Sequence, residues 1–299
     1  MSTERKATLS VIIAGVLWGF ITVFIKNLSK GGLDSFQIAL VRMIVASISF
    51  SIFMAVKNPA LTKIAVKDCP LFIGTGIISV VLFNCFYFYT MINSEASIAV
   101  ILLYTSPIFV CLMSALFFKE KMTKVSFVAL IFTTIGCALV AGLNLKTGIS
   151  VKPFIIFTGL CSGLFYALYT IFGRLALKKY NTMTVTMYTF VFGLIGSIPI
   201  GKPVELVRTV KETPVLLLWC LGIGFFCTVL PYFFYTWGLE RIPSGKAAIL
   251  VAVEPLVGAF LGMFFFNESR NLTKIIGIIL ILTAVILLNL PSQSDSSKN

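Results

Sequence analysis

Apolar residues run along this chain in ten long blocks, separated by short polar connections. A helix of about 20 apolar residues is long enough to cross the hydrocarbon core of a bilayer, and each block is close to that length. The pattern therefore predicts an all-α membrane protein with ten transmembrane helices, at residues 7–27, 34–56, 70–92, 95–117, 124–143, 153–175, 182–201, 214–238, 246–266 and 274–290.

The ninth block carries one carboxylate, Glu254, at its midpoint, and Pro255 follows it directly. An ionisable residue at that depth is costly and marks a substrate or ion pathway by default. Proline removes a backbone donor and weakens the helix locally. We expect Glu254 to face a solute site beside a helix break. The alternative is that Glu254 only ties two helices together.

The second block holds Arg42 well inside its start. A permanently charged guanidinium at that depth must bind a ligand, pair with an acid such as Glu254, or extend its long side chain to the membrane interface. The sequence leaves these interpretations open.

Other polar and aromatic side chains inside the blocks are candidate walls of a cavity. Asn84 needs a hydrogen-bond partner in a hydrocarbon environment. Aromatic rings with polar tips suit a solute site, although ordinary core packing is an equally simple interpretation. The candidates are Trp18, Tyr87, Tyr104, Tyr166, Tyr169 and Tyr232.

The second half of the chain repeats features of the first half in the same order. Gly15 and Gly19 recur as Gly159 and Gly163 at an offset of 144 residues, and later matches lie at offsets up to 150. Pro107 and Pro255 are 148 residues apart, and both predict helix breaks. The order of the matches predicts two five-helix repeats, at residues 1–146 and 147–290, followed by a disordered cytoplasmic tail at residues 291–299.

A repeat with an odd number of membrane spans must have its second copy inverted in the membrane. Inverted repeats are typical of alternating-access transporters, which bind solutes near mid-depth between the two halves. We therefore expect a central cavity between the repeats.

The composition agrees with a membrane protein. Of the 299 residues, 58% are hydrophobic and only 12% are charged, whereas soluble domains are about half apolar and about a quarter charged. The net charge of +13 needs no nucleic acid partner, because Lys and Arg lie mostly in the short connections, where they set orientation and meet anionic lipid. Their distribution favours a multi-pass protein of the cell (plasma or inner) membrane with both termini cytoplasmic.

The chain contains no histidine, which removes Ser-His and Cys-His nucleophilic machinery and histidine metal sites. Its seven cysteines form no Cys-x-x-Cys pair and no disulfide framework. There is no ATP-binding Gly-x-x-x-x-Gly-Lys run. We therefore expect no cofactor, no metal and no enzymatic activity.

Several of these motifs together resemble the drug/metabolite transporter superfamily, in its EamA-type ten-helix branch. The resemblance rests on Trp18-Gly19 with Lys26, on Arg42, and on Pro107 with Phe117-Phe118-Lys119-Glu120, echoed by Glu254-Pro255 with Phe265-Phe266-Asn267-Glu268. It covers residues 8 to 290.

This resemblance implies ten helices in two inverted halves, cytoplasmic termini and a central cavity. Family members move amino acids, metabolites or drugs, frequently outward. Glu120 and Glu268 occupy helix-end positions in the family and are interpreted as structural. The usual glycine before this acid is Lys119 in one half and Asn267 in the other, which puts the packing of these helix ends in question.

The leading hypothesis is a secondary transporter, expected to export small organic solutes such as amino acids or related metabolites. Arg42 would bind a carboxylate, Glu254 would bind an ammonium group, and Glu254 is the candidate proton-coupling residue. A passive channel or facilitator is the alternative, and a membrane enzyme ranks below both. The expected partners are a small-molecule solute and membrane lipid, and we expect a monomer.

Overall fold

The computed structural model describes residues 2–94, 96–141, 152–265 and 272–289, and these residues form helices without strands. Three shorter apolar helices (Lys124–Val140, Thr182–Ser197 and Leu272–Leu288) lie at the positions of the fifth, seventh and tenth predicted blocks. Within the described ranges, seven helices are long and apolar enough to cross a membrane: Thr3–Lys30, Ser35–Lys57, Val66–Asn93, Ile98–Phe118, Pro153–Leu177, Val215–Leu239 and Ser244–Phe264. The prediction of an all-α, multi-pass membrane protein is confirmed.

Most of the long helices are assembled from shorter segments. The α-helices are α1 Thr3–Gly19, α2 Ile21–Lys30, α3 Ser35–Lys57, α4 Cys69–Ile73, α5 Leu82–Asn93, α6 Ala96–Leu103, α7 Ser106–Phe118, α8 Lys124–Val140, α9 Pro153–Leu177, α10 Thr182–Ser197, α11 Pro203–Glu212, α12 Val215–Gly224, α13 Leu230–Leu239, α14 Ser244–Leu250, α15 Val253–Phe265 and α16 Leu272–Asn289. Short 3₁₀ turns lie at Pro59–Thr62 and Val66–Asp68, and π-helical segments lie at Gly74–Val81 and Phe225–Val229.

Local hydrogen bonds fix where several helices begin. Asp34 and Gln37 form a capping box at the start of α3, in which Asp34 Oδ1 accepts from the Gln37 N–H at 2.9 Å and Gln37 Oε1 accepts from the Asp34 N–H at 2.9 Å. Thr123 and Asn181 cap α8 and α10 with side-chain oxygens. Each cap satisfies backbone donors that the first helical turn leaves unpaired.

The predicted helix breaks lie just before the two prolines. Two turn residues, 104–105, separate α6 from α7, and residues 251–252 separate α14 from α15. Because Pro255 has no N–H, it cannot donate to the Val251 carbonyl. The Glu254 N–H donates to that carbonyl instead, at 3.0 Å.

A glycine of another helix packs closely against each break. A Cβ atom on Gly15 of α1 would lie 2.8 Å from the Val251 carbonyl oxygen. A Cβ atom on Gly163 of α9 would lie 2.9 Å from the Leu102 carbonyl oxygen. Both distances are shorter than ordinary contacts, so each helix approaches a break through a glycine.

The two π-helical segments also have matching neighbours. Gly74 begins one segment and packs on the ring of Phe172, whereas Gly222 lies before the other segment and packs on the ring of Phe24. Gly222 lies 148 residues after Gly74, and Phe172 lies 148 residues after Phe24. The same kind of contact therefore occurs once in each half of the chain.

This offset of 148 also relates the two breaks and the glycines that cover them. Gly163 lies 148 residues after Gly15, as Pro255 does after Pro107. The contacts therefore match Gly15 with Gly163, whereas the sequence comparison matched Gly15 with Gly159. Apolar helices share many residues by chance, so tertiary contacts are the better guide to which glycines of the two halves correspond.

Glu120 follows the end of α7 and joins this helix to α14. Its carboxylate accepts hydrogen bonds from the Ser244 N–H at 2.9 and 3.1 Å and from Ser244 Oγ at 3.0 Å. Arg174 Nη2 lies 3.9 Å from the same group. Lys119 adopts a left-handed conformation, with φ 55°, which explains why glycine suits this position.

Some expectations changed or fall outside the described residues. The connection between the seventh and eighth predicted blocks contains a helix that the sequence analysis did not predict, α11, with Leu206 buried and Val204 exposed. The repeat boundary at 146/147, Glu268 and the tail 291–299 lie outside the residues that the structure describes.

Candidate functional site

Glu254 lies in the first turn of α15, directly after the break at residues 251–252. The residue is half-buried. Among the described residues, the carboxylate has no ion pair within 4 Å and no side-chain hydrogen bond. Glu254 is therefore a half-buried acid without an ionic partner in the described part of the protein.

Three of the predicted tyrosines lie around this acid. The Glu254 carboxylate acts electrostatically on Tyr87, Tyr104 and Tyr166, and each of these tyrosines is half-buried. The ring of Phe83 contacts Tyr87 and Tyr166, with centroid distances of 5.7 and 5.2 Å. These rings form a wall that is apolar except at the tyrosine hydroxyls.

The two helix breaks meet at a small cavity of about 20 Å³. Tyr104 lines it from the first break, with Ser106 and Pro107 at the start of α7, and Val251 and Ala252 line it from the second break. The remaining lining residues are Val110, Tyr166, Thr170, Tyr235 and Ala248. A cavity of this size holds about one water molecule, so in this conformation the breaks are packed closely around it.

Arg42 projects from α3 toward the second π-helical segment. Its Nε donates to Thr228 Oγ1 at 3.0 Å. Arg42 is partly exposed and its charge acts on Glu254, but no ion pair within 4 Å joins these two described residues. Of the three interpretations of Arg42, pairing with Glu254 is therefore absent in this conformation.

Trp18, Tyr169 and Tyr232 form a tightly packed aromatic cluster. The Tyr232 ring lies edge-on to Trp18 and to Tyr169, with a centroid distance of 5.1 Å in each case. All three residues are buried, and Tyr169 Oη is hydrogen-bonded to Thr236 Oγ1 at 2.7 Å. Their geometry is that of core packing, although Tyr232 is also within electrostatic range of Glu254 and Arg42.

Asn84 is buried on α5, and its Nδ2 donates to the Val80 carbonyl of the preceding turn at 2.6 Å. One of its two amide N–H donors is therefore satisfied locally. Among the described residues, no group of three or more His, Cys, Asp or Glu side chains is placed to hold a metal ion.

Sequence reasoning missed Thr228 as a contact of Arg42. The two residues are 186 positions apart, and a threonine in an apolar block gives no signal of its own. Phe83 was also overlooked, because one phenylalanine in an aromatic run looks like its neighbours.

Comparisons with known proteins place this chain among transporters. The model of the EamA-like transporter family matches residues 5–142 and again residues 153–290. The chain is 27% identical to a protein of Archaeoglobus fulgidus named "Uncharacterized transporter", over 95% of this chain and 96% of that protein. It is 25% identical to "Uncharacterized inner membrane transporter YicL" of Salmonella typhimurium, over 98% of each chain.

A solved structure titled "Crystal structure of protein" superposes on the chain with a TM-score of 0.80. The alignment covers 99% of each chain at 14% sequence identity. At that sequence identity, the similarity shows a shared fold alone.

Proposed function

Because the chain belongs to the EamA-like transporter family, we propose that this membrane transporter is a secondary exporter of small organic solutes such as amino acids or related metabolites. It works by alternating access, without catalysis, and its solute site lies between Arg42 and Glu254.

The proposed architecture is two inverted five-helix repeats around a central cavity, with both termini cytoplasmic. Two features support it: the family model matches the chain twice, and matched breaks and glycine contacts recur at an offset of 148 residues. A pseudo-two-fold relation of this kind lets one half rock against the other around a fixed site. One chain supplies both halves, so a monomer suffices.

The observation that carries the proposal is that neither Glu254 nor Arg42 has an ion pair among the described residues. Separating opposite charges inside a protein is costly unless each finds compensation. A zwitterion compensates both, since its ammonium group suits the carboxylate and its carboxylate suits the guanidinium. The rings of Tyr87, Tyr104 and Tyr166 would enclose the rest of the solute.

Glu254 is also the proposed proton-coupling group. It has no ion pair among the described residues, so protonating it breaks none. A proton and a cationic ammonium group would then compete for the same carboxylate, which couples the movement of one to the movement of the other.

A passive channel or facilitator is the alternative function. Counterflow separates the two classes: proteoliposomes are loaded with an unlabelled L-amino acid, and the uptake of the labelled form is followed for each amino acid in turn. A transporter gives a transient accumulation of label, because internal solute drives exchange. A channel gives simple equilibration, which would contradict the proposal.

A further inference from the structure

When Glu254 is ionised, it and Arg42 carry opposite charges that act on each other, and still these two described residues form no ion pair within 4 Å. In the low effective dielectric of a protein interior, such charges attract strongly. A hydrogen bond to another residue holds the Arg42 guanidinium elsewhere.

Thr228 is the described residue that hydrogen-bonds the Arg42 side chain. Its hydroxyl donates to the Ile223 carbonyl at 3.0 Å, and a hydroxyl has only one proton to donate. Toward Arg42 the same oxygen can only accept, and it accepts from Nε at 3.0 Å. Thr228 is fully buried, so packing fixes its position.

The π-helical segment Phe225–Val229 creates this arrangement. Thr228 reaches back five residues to Ile223, one residue further than a side chain usually reaches within an α-helix. π-helical turns occur frequently at functional sites. Because Nε is held on this segment, the Nη1 and Nη2 edge of the guanidinium stays free of partners among the described residues.

The π-helical segment in the first half of the chain has the same backbone arrangement, but no described arginine hydrogen-bonds to it. In the segment Gly74–Val81, Ser79 Oγ also donates five residues back, to the Gly74 carbonyl at 2.8 Å. The position 148 residues after Arg42 is Phe190, whose ring stacks on Phe50 at 5.8 Å. Among the described residues, the second segment therefore binds a cationic side chain and the first does not.

We infer that Thr228 is a positioning residue: by holding Nε of Arg42 on the π-helical segment, it keeps Arg42 from neutralising Glu254 and leaves both groups available to a solute. The inference rests on the proposed solute site. It adds the residue that maintains the two separate charges.

The test measures how fast phenylglyoxal, which attacks guanidinium groups, modifies Arg42 in the purified full-length protein. Mass spectrometry of peptides resolves each arginine, and the exposed Arg208 serves as the internal reference. Thr228→Val removes the acceptor but keeps the shape. We expect modification to slow by about tenfold, since a hydrogen bond to a charged group is lost and the freed guanidinium closes on Glu254.

Two further variants separate positioning from a folding defect. Thr228→Ser keeps the hydroxyl and should preserve the wild-type rate. Glu254→Gln combined with Thr228→Val removes the competing acid and should restore the rate. An unchanged rate in Thr228→Val, or a slow rate that Glu254→Gln does not restore, would overturn the inference.

Acetate, a minimal carboxylate probe, tests the solute site independently. If Arg42 binds a carboxylate, acetate should slow its modification in the wild-type protein. Absence of this protection, with the Thr228 variants behaving as expected, would refute the carboxylate-binding role of Arg42 and leave its positioning by Thr228 intact.

Discussion

A methyl group on Gly15 would lie 2.8 Å from the carbonyl oxygen of Val251, the first residue of the break that precedes Glu254. The first helix therefore reaches the site through a contact that only glycine permits. Gly163 makes the equivalent approach to the break that precedes Pro107.

Replacing either glycine should separate a helix from its break. We expect Gly15→Ala and Gly163→Ala each to destabilise the protein by about 1–3 kcal/mol, because the added carbon clashes with backbone atoms that cannot move freely. Thermal unfolding in detergent measures the change.

Gly173 on α9 is the matched control, since its added carbon would meet nothing closer than 3.6 Å. Gly173→Ala should be neutral or stabilising, by up to about 1 kcal/mol, from helix propensity. Equal losses in Gly163→Ala and Gly173→Ala would show that the close approach is unimportant.

Lys119 is strained by its left-handed backbone, and Lys119→Gly should relieve that strain. We expect a gain of about 1 kcal/mol in stability, since this conformation costs residues with a Cβ about that amount. Lys119→Ala removes the charge and keeps the Cβ, so it should give no gain. Similar shifts in Tm for both variants would assign the effect to charge.

Tyr166 and Tyr169 should respond oppositely to the loss of their hydroxyls. Tyr169→Phe leaves Thr236 without its partner at 2.7 Å and should lower stability by about 1–3 kcal/mol while solute affinity holds. Tyr166→Phe should lower the affinity for the transported amino acid with little change in Tm. Affinity losses confined to Tyr169→Phe would reverse this assignment.

Glu254→Gln should abolish the response of transport to an imposed pH gradient, because the amide cannot carry a proton. Transport in proteoliposomes with and without the gradient measures it. Glu212→Gln, an exposed change on α11, should leave the response intact. A full pH-gradient response in Glu254→Gln would remove Glu254 as the coupling group.

Much of the fold could be predicted, because a helix that crosses lipid must be long and apolar, and because proline interrupts such a helix. The π-helical segments could not, since no residue pattern distinguishes them from α-helix. The site residues likewise divide into those that the sequence reveals and those that it does not. Glu254 stands out as a charge in an apolar block, but whether Tyr166 or Tyr169 faces a cavity depends on a small rotation of α9. Thr228 becomes visible only when distant helices pack together.

The most direct test of the central claim is a thermal-shift comparison of amino acids with two derivatives of each. The methyl ester lacks the carboxylate, and the N-acetyl form lacks the ammonium group. A ligand that binds the folded protein raises its Tm.

If Arg42 and Glu254 bind the two ends of a zwitterion, at least one L-amino acid will raise the Tm and both of its derivatives will not. Arg42→Gln will then abolish the preference over the ester, and Glu254→Gln the preference over the N-acetyl form. An ester or N-acetyl derivative that stabilises the wild-type protein as well as its parent would contradict the account.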